Sequence, residues 1–272
     1  MLTNLKEYLK PESLKEAWRI YQNSPEHTLF STGGLSTALR EEEKTTVVID
    51  LSGVLSKEIA EKKDQLLIGG GMTINETLES LKDHALMDVL KQVGTHQIRN
   101  MATISGSIAQ KFGWSDIITA LVAYKARVLL FDESGESSIP IADYLQSKHP
   151  SVVLGVVIEK KFNFGSFQYS SKTDYDVSQF NFFMSAHIDQ HKITETGIAY
   201  GARPGYAKRF EAAEALLTGL PVKTAEEKLD ELSEKVEHSS VSNGFGLSEN
   251  YRKELLKVFL KHSLMELCRK NS

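Results

Sequence analysis

Glycine-rich turns recur in the first half of this 272-residue chain, each after a short apolar stretch that is typical of a strand. They read TGGLST at residues 32–37, IGGGMT at 68–73 and TISGS at 103–107. Glycine allows a positive φ and lets another group approach the backbone closely, and successive amides in such a turn form a concave site for anions. Any single turn of this kind is more often a plain connection. Three of them in one region predict strand–turn–helix units and favour a phosphorylated ligand.

None of the three turns matches a common nucleotide-binding loop. No Gly-Lys-Ser/Thr follows them, and none is a G-x-G-x-x-G that opens a helix. His187 and His191 are four residues apart, but they fall where a strand runs into a turn, so we predict no metal site there. The single cysteine, Cys268, excludes a disulfide or a cysteine-based metal site within the chain. No spacing of acidic, basic or nucleophilic residues indicates a catalytic side chain.

Composition and the lengths of the apolar runs argue against three further classes of protein. The chain is 41% hydrophobic and 25% charged, with a formal net charge of −4, which is ordinary for a globular protein and gives no basic face for nucleic acid. No apolar run approaches the ~20 residues of a membrane span, and the first residues lack the apolar core of a signal peptide. These observations predict a cytoplasmic protein.

The pattern of strands and helices changes character near residue 165. Before it, helices such as the one predicted at Pro11–Asn23 alternate with short apolar strands. After it, alternating residues predict a meander of antiparallel strands, followed by helical stretches up to the C-terminus. We therefore predict two α+β domains, at residues 1–165 and 166–272.

The ordered set of motifs resembles the FAD-binding medium subunits of molybdenum hydroxylases, the family of xanthine dehydrogenase and carbon monoxide dehydrogenase. QIRNMATISGSIAQ, residues 97–110, is similar to the family signature QIRN-x-x-TIGGN, and STGGLSTAL, residues 31–39, is similar to its first glycine loop. The resemblance covers nearly the whole chain. It implies a two-subdomain FAD-binding domain of the molybdenum hydroxylase/vanillyl-alcohol-oxidase-like type, followed by a smaller C-terminal domain with an antiparallel sheet and helices.

The resemblance also implies which residues bind FAD. In the family, two glycine loops cradle the FAD pyrophosphate with amides and hydroxyls, a role that falls here on Phe30, Thr32, Gly33, Gly34, Leu35, Ser36 and Thr37, and on Thr103, Gly106 and Ser107. Asp116 is expected to bind the ribose or adenine end of FAD. A basic residue is expected near the flavin, where Gln168 and Lys172 are the candidates. Ile98, Met101 and Ile104 are expected to anchor the second loop in the core.

By the same resemblance, the chain is expected to be an oxidoreductase subunit of a heterotrimeric complex, most closely of xanthine dehydrogenase type. A large molybdopterin-binding subunit would hydroxylate the substrate. Electrons would pass through [2Fe–2S] clusters of a small subunit to FAD, and from FAD to NAD⁺ or another acceptor. No catalytic side chain is required, because the flavin carries the redox chemistry.

Three alternatives remain open. Ser105 stands where the family usually has glycine, which leaves room for a non-catalytic assembly subunit with weakened FAD binding. A subunit of a carbon monoxide or aldehyde dehydrogenase-type complex fits the same motifs, because the substrate is chosen by the molybdenum subunit. A stand-alone flavoprotein usually carries a sizeable substrate domain, and the short stretch 166–272 argues against one.

Overall fold

The computed structural model describes residues 2–39, 44–82, 84–202 and 205–271. Its strands are β1 Glu7–Leu9, β2 Thr28–Ser31, β3 Val47–Asp50, β4 Ile59–Lys62, β5 Gln65–Gly69, β6 Arg127–Asp132, β7 Gly135–Pro140, β8 Val152–Glu159, β9 Phe164–Ser170, β10 Phe180–Asp189, β11 Lys192–Gly201 and β12 Lys208–Arg209. Its α-helices are α1 Leu14–Asn23, α2 Leu35–Leu39, α3 Ile74–Ser80, α4 Leu86–Gln92, α5 His96–Met101, α6 Ile104–Ala109, α7 Asp116–Ala123, α8 Ile141–Gln146, α9 Glu211–Leu217, α10 Leu229–Glu237 and α11 Glu249–Lys270.

The chain forms two compact units, each built from three separate segments. The first unit comprises Met1–Ser80, Thr95–Gln110 and Arg127–Val157, and the second comprises Leu81–Gly94, Lys111–Ala126 and Ile158–Ser272. Two short stretches of the first half of the chain therefore belong to the unit that contains its C-terminus. The predicted division into contiguous domains at residue 165 stays a prediction.

The first unit contains two sheets. Strands β1, β3 and β2 form a parallel sheet in that order, and its core is an aromatic and aliphatic cluster around Trp18 of α1 and Ile49 of β3. The second sheet has the order β4-β5-β8-β6-β7, in which β6 runs antiparallel to both β7 and β8. The predicted succession of strand, glycine turn and helix is present at two of the three turns, where β2 leads into α2 and β5 leads into α3. It is wrong for residues 103–107, which follow helix α5 and not a strand.

Helix α1 begins later than the sequence predicts. The expected start was Pro11, but the first helical residue is Leu14. The side chain of Ser13 accepts a hydrogen bond from the amide of Glu16 at 3.2 Å and caps the helix. A serine that satisfies one of the unpaired amides of the first turn fixes the start of a helix, so Pro11 lies before the cap rather than inside the first turn.

The second unit is an antiparallel sheet covered by helices. Its strand order is β12-β11-β10-β9, and all three pairings are antiparallel. Every residue of α7 from Ile117 to Ala123 is buried, and α7 packs on β10 and β11. The predicted meander and the α+β class are thereby confirmed. In the described part of the chain, no helix combines the length and the apolar character that crossing a membrane requires.

Candidate functional site

The first predicted loop leaves the end of a parallel strand and is open to a ligand. Ser31, the last residue of β2, lies opposite Asp50 in the parallel sheet, and the carboxyl ends of such strands are where ligands bind in α/β sheets. Gly34 has a φ of +76°, and no atom of the described residues lies within 4 Å of the place where its Cβ would be. Within the described ranges, the amides of Thr32, Gly33 and Gly34 donate no hydrogen bond. These unpaired donors form a site of the kind that binds anions.

The two predicted loops meet in the first unit. A Cβ on Gly33 would lie 1.7 Å from the carbonyl oxygen of Met101, so only glycine lets the chain pass there. The hydroxyls of Thr32 and Thr103 are hydrogen-bonded at 2.6 Å. A Cβ on Gly106 would lie 3.0 Å from Thr103 Oγ1 and 3.2 Å from Thr32 Oγ1. The structure therefore brings together the two stretches that the sequence assigns to one cofactor.

The second loop differs from the first because its amides are already paired. The amides of Ile104, Ser105, Gly106 and Ser107 donate to Met72 O, Gly70 O, Thr103 Oγ1 and Thr103 O, at distances of 2.9, 2.9, 3.1 and 2.9 Å. Among the side chains that the structure describes, none bonds the hydroxyl of Ser107. This loop therefore offers a hydroxyl and a close approach at Gly106, whereas the unpaired amides belong to the first loop.

The glycine run 69–71 is a packing feature and not an open loop. The amides of Gly69, Gly70 and Gly71 donate to the carbonyls of Glu58, Leu154 and Ser56 at 3.0, 2.7 and 2.9 Å. A Cβ at any of the three would lie 2.4–2.8 Å from a backbone oxygen. Ser105 belongs to this contact, because its Cβ lies 3.0 Å from the place where a Cβ of Gly70 would be. Ser105 is 3% exposed, so its side chain faces the glycine run.

The other predicted residues of the first loop are held by packing or hydrogen bonds to neighbouring elements, or are half-buried. The ring of Phe30 packs on Tyr21 and Trp18, with ring centroids 5.0 and 6.2 Å apart. The hydroxyl of Thr37 donates to Ser31 Oγ at 3.1 Å. Leu35 and Ser36 are half-buried at the start of α2.

The expectation that Met101 anchors the second loop in the core is wrong. Its side chain is 45% exposed, whereas Ile104 is 1% exposed and is a true core residue. Met101 ends α5, which spans only His96–Met101 and contains no fully buried residue. The apolar side chain of Ile98, in the middle of the same short helix, is also partly accessible.

Asp116 begins α7 in the second unit, directly after its cap. Ser115 Oγ accepts a hydrogen bond from the amide of Ile118 at 3.2 Å, which fixes the start of the helix. The carboxylate of Asp116 accepts a hydrogen bond from Asn181 Nδ2 at 2.5 Å. Burial raises the pKa of Asp116 to about 6, although the hydrogen bond from Asn181 and the proximity of the Ser178 hydroxyl favour its charged form. A carboxylate that is desolvated in this way marks a candidate binding group.

Gln168 and Lys172 lie on and after β9 in the same unit. Gln168 donates to Ser166 Oγ at 3.4 Å and is half-buried, whereas Lys172 is exposed in the connection from β9 to β10. The two loops thus belong to the first unit, and Asp116 and Lys172 belong to the second.

The two histidines lie where the sequence places them, at the end of a strand. His187 is on β10, and His191 follows in the turn with a φ of +58°. Across residues 2–39, 44–82, 84–202 and 205–271, no three His, Cys, Asp or Glu side chains are grouped so as to hold a metal ion.

The sequence analysis missed Asn181, the residue that contacts Asp116. Asn181 is 0% exposed and is the second residue of β10, within the apolar stretch FNFFM. A buried amide must find hydrogen-bond partners, and an asparagine inside an aromatic strand is the one signal that such partners exist. Their identity depends on α7, which lies more than 50 residues earlier in the chain.

Two family models match almost the whole chain. Residues 3–158 match the model described as the FAD binding domain in molybdopterin dehydrogenase, and residues 165–267 match the CO dehydrogenase flavoprotein C-terminal domain. Since the first model alone covers more than half of the 272 residues, the chain belongs to the FAD-binding medium subunits of the molybdenum hydroxylase family. FAD is its cofactor.

Similar proteins include FAD subunits of dehydrogenases that are named for different substrates. The chain is 22% identical to the nicotinate dehydrogenase FAD-subunit of Eubacterium barkeri, over 79% of this chain and 80% of that protein. It is 21% identical to the xanthine dehydrogenase FAD-binding subunit of Escherichia coli O157:H7, over 95% and 94% of the two chains. The shared part of the names is the FAD subunit of a dehydrogenase.

Solved structures share the fold along the full length. A chain of CO dehydrogenase from Oligotropha carboxidovorans superposes with a TM-score of 0.87 at 18% identity, covering 100% of both chains. A chain of quinoline 2-oxidoreductase from Pseudomonas putida 86 gives a TM-score of 0.85 at 19% identity, covering 100% of this chain and 99% of the other.

The residues present fit a flavin dinucleotide. The unpaired amides of residues 32–34 and the open space at Gly34 suit a diphosphate, which needs several donors and a close backbone approach. The carboxylate of Asp116 suits the hydroxyls of a ribose.

Proposed function

We propose that this chain is the FAD-carrying electron-transfer subunit of a heterotrimeric molybdenum hydroxylase of xanthine dehydrogenase type. In this proposal, a large molybdopterin-binding subunit hydroxylates the substrate, and a small subunit delivers electrons through [2Fe–2S] clusters. The acceptor is NAD⁺ or another oxidant. The alignment over 95% of the chain with a xanthine dehydrogenase FAD-binding subunit supports the type of complex. The cytoplasmic location stays a prediction from the sequence.

The observation that carries the proposal is the first loop, with its unpaired amides and the open face of Gly34. The proposed FAD ligands are Phe30, Thr32, Gly33, Gly34, Leu35, Ser36, Thr37, Thr103, Gly106 and Ser107 for the pyrophosphate, Asp116 for the ribose or adenine end, and Lys172 near the flavin. When bound, the flavin supplies the exchange between one- and two-electron transfer. No side chain of this chain acts as an acid or base in the proposal.

The protein contributes preorganisation. Amides held in a fixed turn bind a diphosphate without the reorganisation that mobile donors require. The hydrogen bond between Thr32 and Thr103 keeps the two loops in register. The stacked rings of Phe30 and Trp18 support β2 directly behind the turn. Each of these features holds a donor or a surface in place before the ligand arrives.

A complex with another substrate is the second candidate function. The similarity to a nicotinate dehydrogenase FAD-subunit, at 22% identity, favours an aromatic heterocycle other than xanthine. The electron path through this chain is the same in both cases. Only the molybdenum subunit distinguishes them, so the partner must be isolated to decide.

The first experiment is the visible spectrum of the purified chain before and after desalting with excess FAD. Bound flavin gives bands near ~375 and ~450 nm that persist through desalting, and FAD raises the melting temperature by mass action. If neither occurs, the chain is better described as an assembly subunit without flavin.

The second experiment identifies the complex. The tagged chain is purified from its own cells, and molybdenum and iron are measured in the copurified proteins. Reduction of NAD⁺ is then assayed with xanthine, nicotinate, an aldehyde and carbon monoxide. Two partners, molybdenum, iron and activity on xanthine are expected. Activity on a different substrate in this list would replace the xanthine dehydrogenase type and keep the FAD subunit.

A further inference from the structure

The amide side chain of Asn181 is held on three sides. Its Oδ1 accepts a hydrogen bond from Thr119 Oγ1 at 2.9 Å, and its Nδ2 donates to the Trp114 carbonyl at 3.1 Å and to Asp116 Oδ1 at 2.5 Å. A carbonyl oxygen only accepts, so the contact with Trp114 decides which end of the amide is the nitrogen. Both amide hydrogens are used, and the side chain has one orientation.

The neighbouring strand leaves room for this arrangement. Gly201 on β11 lies directly opposite Asn181 on β10. A Cβ on Gly201 would lie 2.4 Å from Asn181 Oδ1 and 2.1 Å from Thr119 Oγ1. Any other residue at this position would displace the pair, so the glycine is part of the same local design.

The carboxylate of Asp116 keeps one oxygen for another partner. Asn181 bonds Oδ1, and no donor of the described residues meets hydrogen-bond geometry at Oδ2. Nearby, Ser178 is 1% exposed, and its hydroxyl has no partner of normal geometry among the described residues. A buried hydroxyl that makes no hydrogen bond and a carboxylate oxygen that accepts none from the described residues both cost the free protein stability, unless a ligand satisfies them.

We propose that Asn181 is a positioning residue for FAD, which holds the Asp116 carboxylate so that its free oxygen accepts the hydroxyls of the adenosine ribose. This inference rests on the proposed function, in which Asp116 binds that end of the cofactor. A neutral amide suits the task better than a cation would. An arginine would take both carboxylate oxygens in a bidentate pair, whereas Asn181 takes one.

The test is a double-mutant cycle on the full chain, with the dissociation constant of FAD measured by flavin fluorescence. We expect Asn181→Leu and Asp116→Asn each to raise that constant about tenfold, as loss of a hydrogen bond to a charged group does. If Asn181 acts through Asp116, the double variant is no weaker than Asp116→Asn alone. A double variant whose dissociation constant rises by the product of the two single-variant factors would overturn the proposal.

FMN, which lacks the adenosine half, is the second probe. We expect Asn181→Leu to leave the dissociation constant of FMN unchanged while that of FAD rises. An equal loss for FMN and FAD would show a general effect on the fold and would refute the positioning role. A wild-type chain that binds neither flavin would instead refute the proposed function itself.

Ser185→Ala is the matched control. Ser185 lies on the same strand and also bonds α7, through the Ala123 carbonyl at 2.9 Å, but it does not contact Asp116. It should lower stability and leave FAD affinity unchanged. If Asn181→Leu does not fold, Thr119→Val replaces it. That variant removes the hydroxyl that orients Asn181 and that also lies 3.2 Å from the Ser115 carbonyl oxygen. A rise of about threefold in the FAD dissociation constant is expected; no rise would contradict the proposal.

Discussion

The glycine runs 33–34 and 69–71 have nearly the same local sequence and opposite structures. In the run 69–71, each amide donates to a carbonyl of a distant segment, and each glycine touches a backbone oxygen. In the run 33–34, Gly33 also lies against a backbone oxygen, that of Met101, but among the described residues the amides find no partner and the Cβ position of Gly34 has no neighbour within 4 Å. The run 69–71 packs inside the first unit, whereas the run 33–34 keeps backbone donors without a partner among the described residues.

Glycine content does not by itself indicate a ligand. Both runs follow a strand and precede a helix, as the sequence predicts. The distinguishing property is whether the backbone donors find partners inside the protein. Buried donors are nearly always paired, so a turn that keeps several unpaired is suited to an external acceptor.

Gly70→Ala should disrupt the packed run 69–71 and cause the largest loss of stability among these variants. Its Cβ would lie 2.7 Å from the Leu154 carbonyl oxygen and 3.0 Å from Ser105 Cβ. Overpacking of this kind lowers the free energy of unfolding by about 2–3 kcal/mol, measurable by denaturant unfolding. The FAD affinity of the folded fraction should not change. Gly53→Ala, where nothing lies within 4 Å, is the control; equal stability of the two variants would show that the run is not packed as described.

Gly34→Ala should do the converse, lowering FAD affinity strongly and stability only slightly. The positive φ of Gly34 costs alanine about 1 kcal/mol, so the variant still folds. The new methyl group enters the open space beside the unpaired amides, and we expect the FAD dissociation constant to rise at least tenfold, a loss of ~1.4 kcal/mol. Titration by flavin fluorescence measures it. Unchanged affinity would mean that the diphosphate binds elsewhere.

Asp116→Asn extends the comparison from amides to a carboxylate. Burial keeps the pKa of Asp116 at about 6, above its ordinary 3.8. The folded chain therefore binds more protons than the unfolded chain between those values, and its stability falls as the pH rises through that range. In the absence of FAD, Asp116→Asn should melt above wild type at pH 8 and equal to it below about pH 4.

The same variant should bind FAD less tightly at pH 8, so stability and affinity change in opposite directions. Melting curves at several pH values, with and without FAD, measure both. A difference in melting temperature that is constant with pH would contradict the assignment of the raised pKa to Asp116.

Ser105→Gly should cause the smallest change in stability and FAD affinity among these variants. Because Ser105 faces the packed run and not the open loop, its replacement by the family's usual glycine should leave FAD affinity unchanged. Stability should fall by roughly 0.5–1 kcal/mol, the usual difference for glycine inside a helix. A gain in FAD affinity would instead support the idea that Ser105 weakens the site.

Local sequence patterns predicted most of the strands and helices, but they predicted the helix boundaries and the side-chain contacts less well. The strand and helix around residues 32–37 and the antiparallel meander after residue 165 follow from periodicity and turn residues. The predicted start of α1 was wrong, because the actual start is decided by one hydrogen bond from the Glu16 amide to the side chain of Ser13. Met101 was assigned to the core because it is apolar, but its place at the end of a short helix leaves it accessible.

The pairing of donors was beyond the reach of sequence patterns. Leu154 satisfies the amide of Gly70 from more than 80 residues away, and Asn181 reaches Asp116 across 65 residues. No local window contains both members of such a pair. The division into an open loop and a packed run therefore depends on tertiary contacts that only the folded chain shows.

The segmented make-up of the second unit has a consequence for synthesis on the ribosome. Helix α7 emerges early, yet the strands that cover it, β10 and β11, are complete only at Gly201. For several seconds at ordinary elongation rates, the nascent chain carries an apolar helix without its cover. Chaperones that hold emerging chains should therefore bind this protein between the synthesis of Ala123 and Gly201, and a fragment that starts at residue 166 would lack α7 altogether.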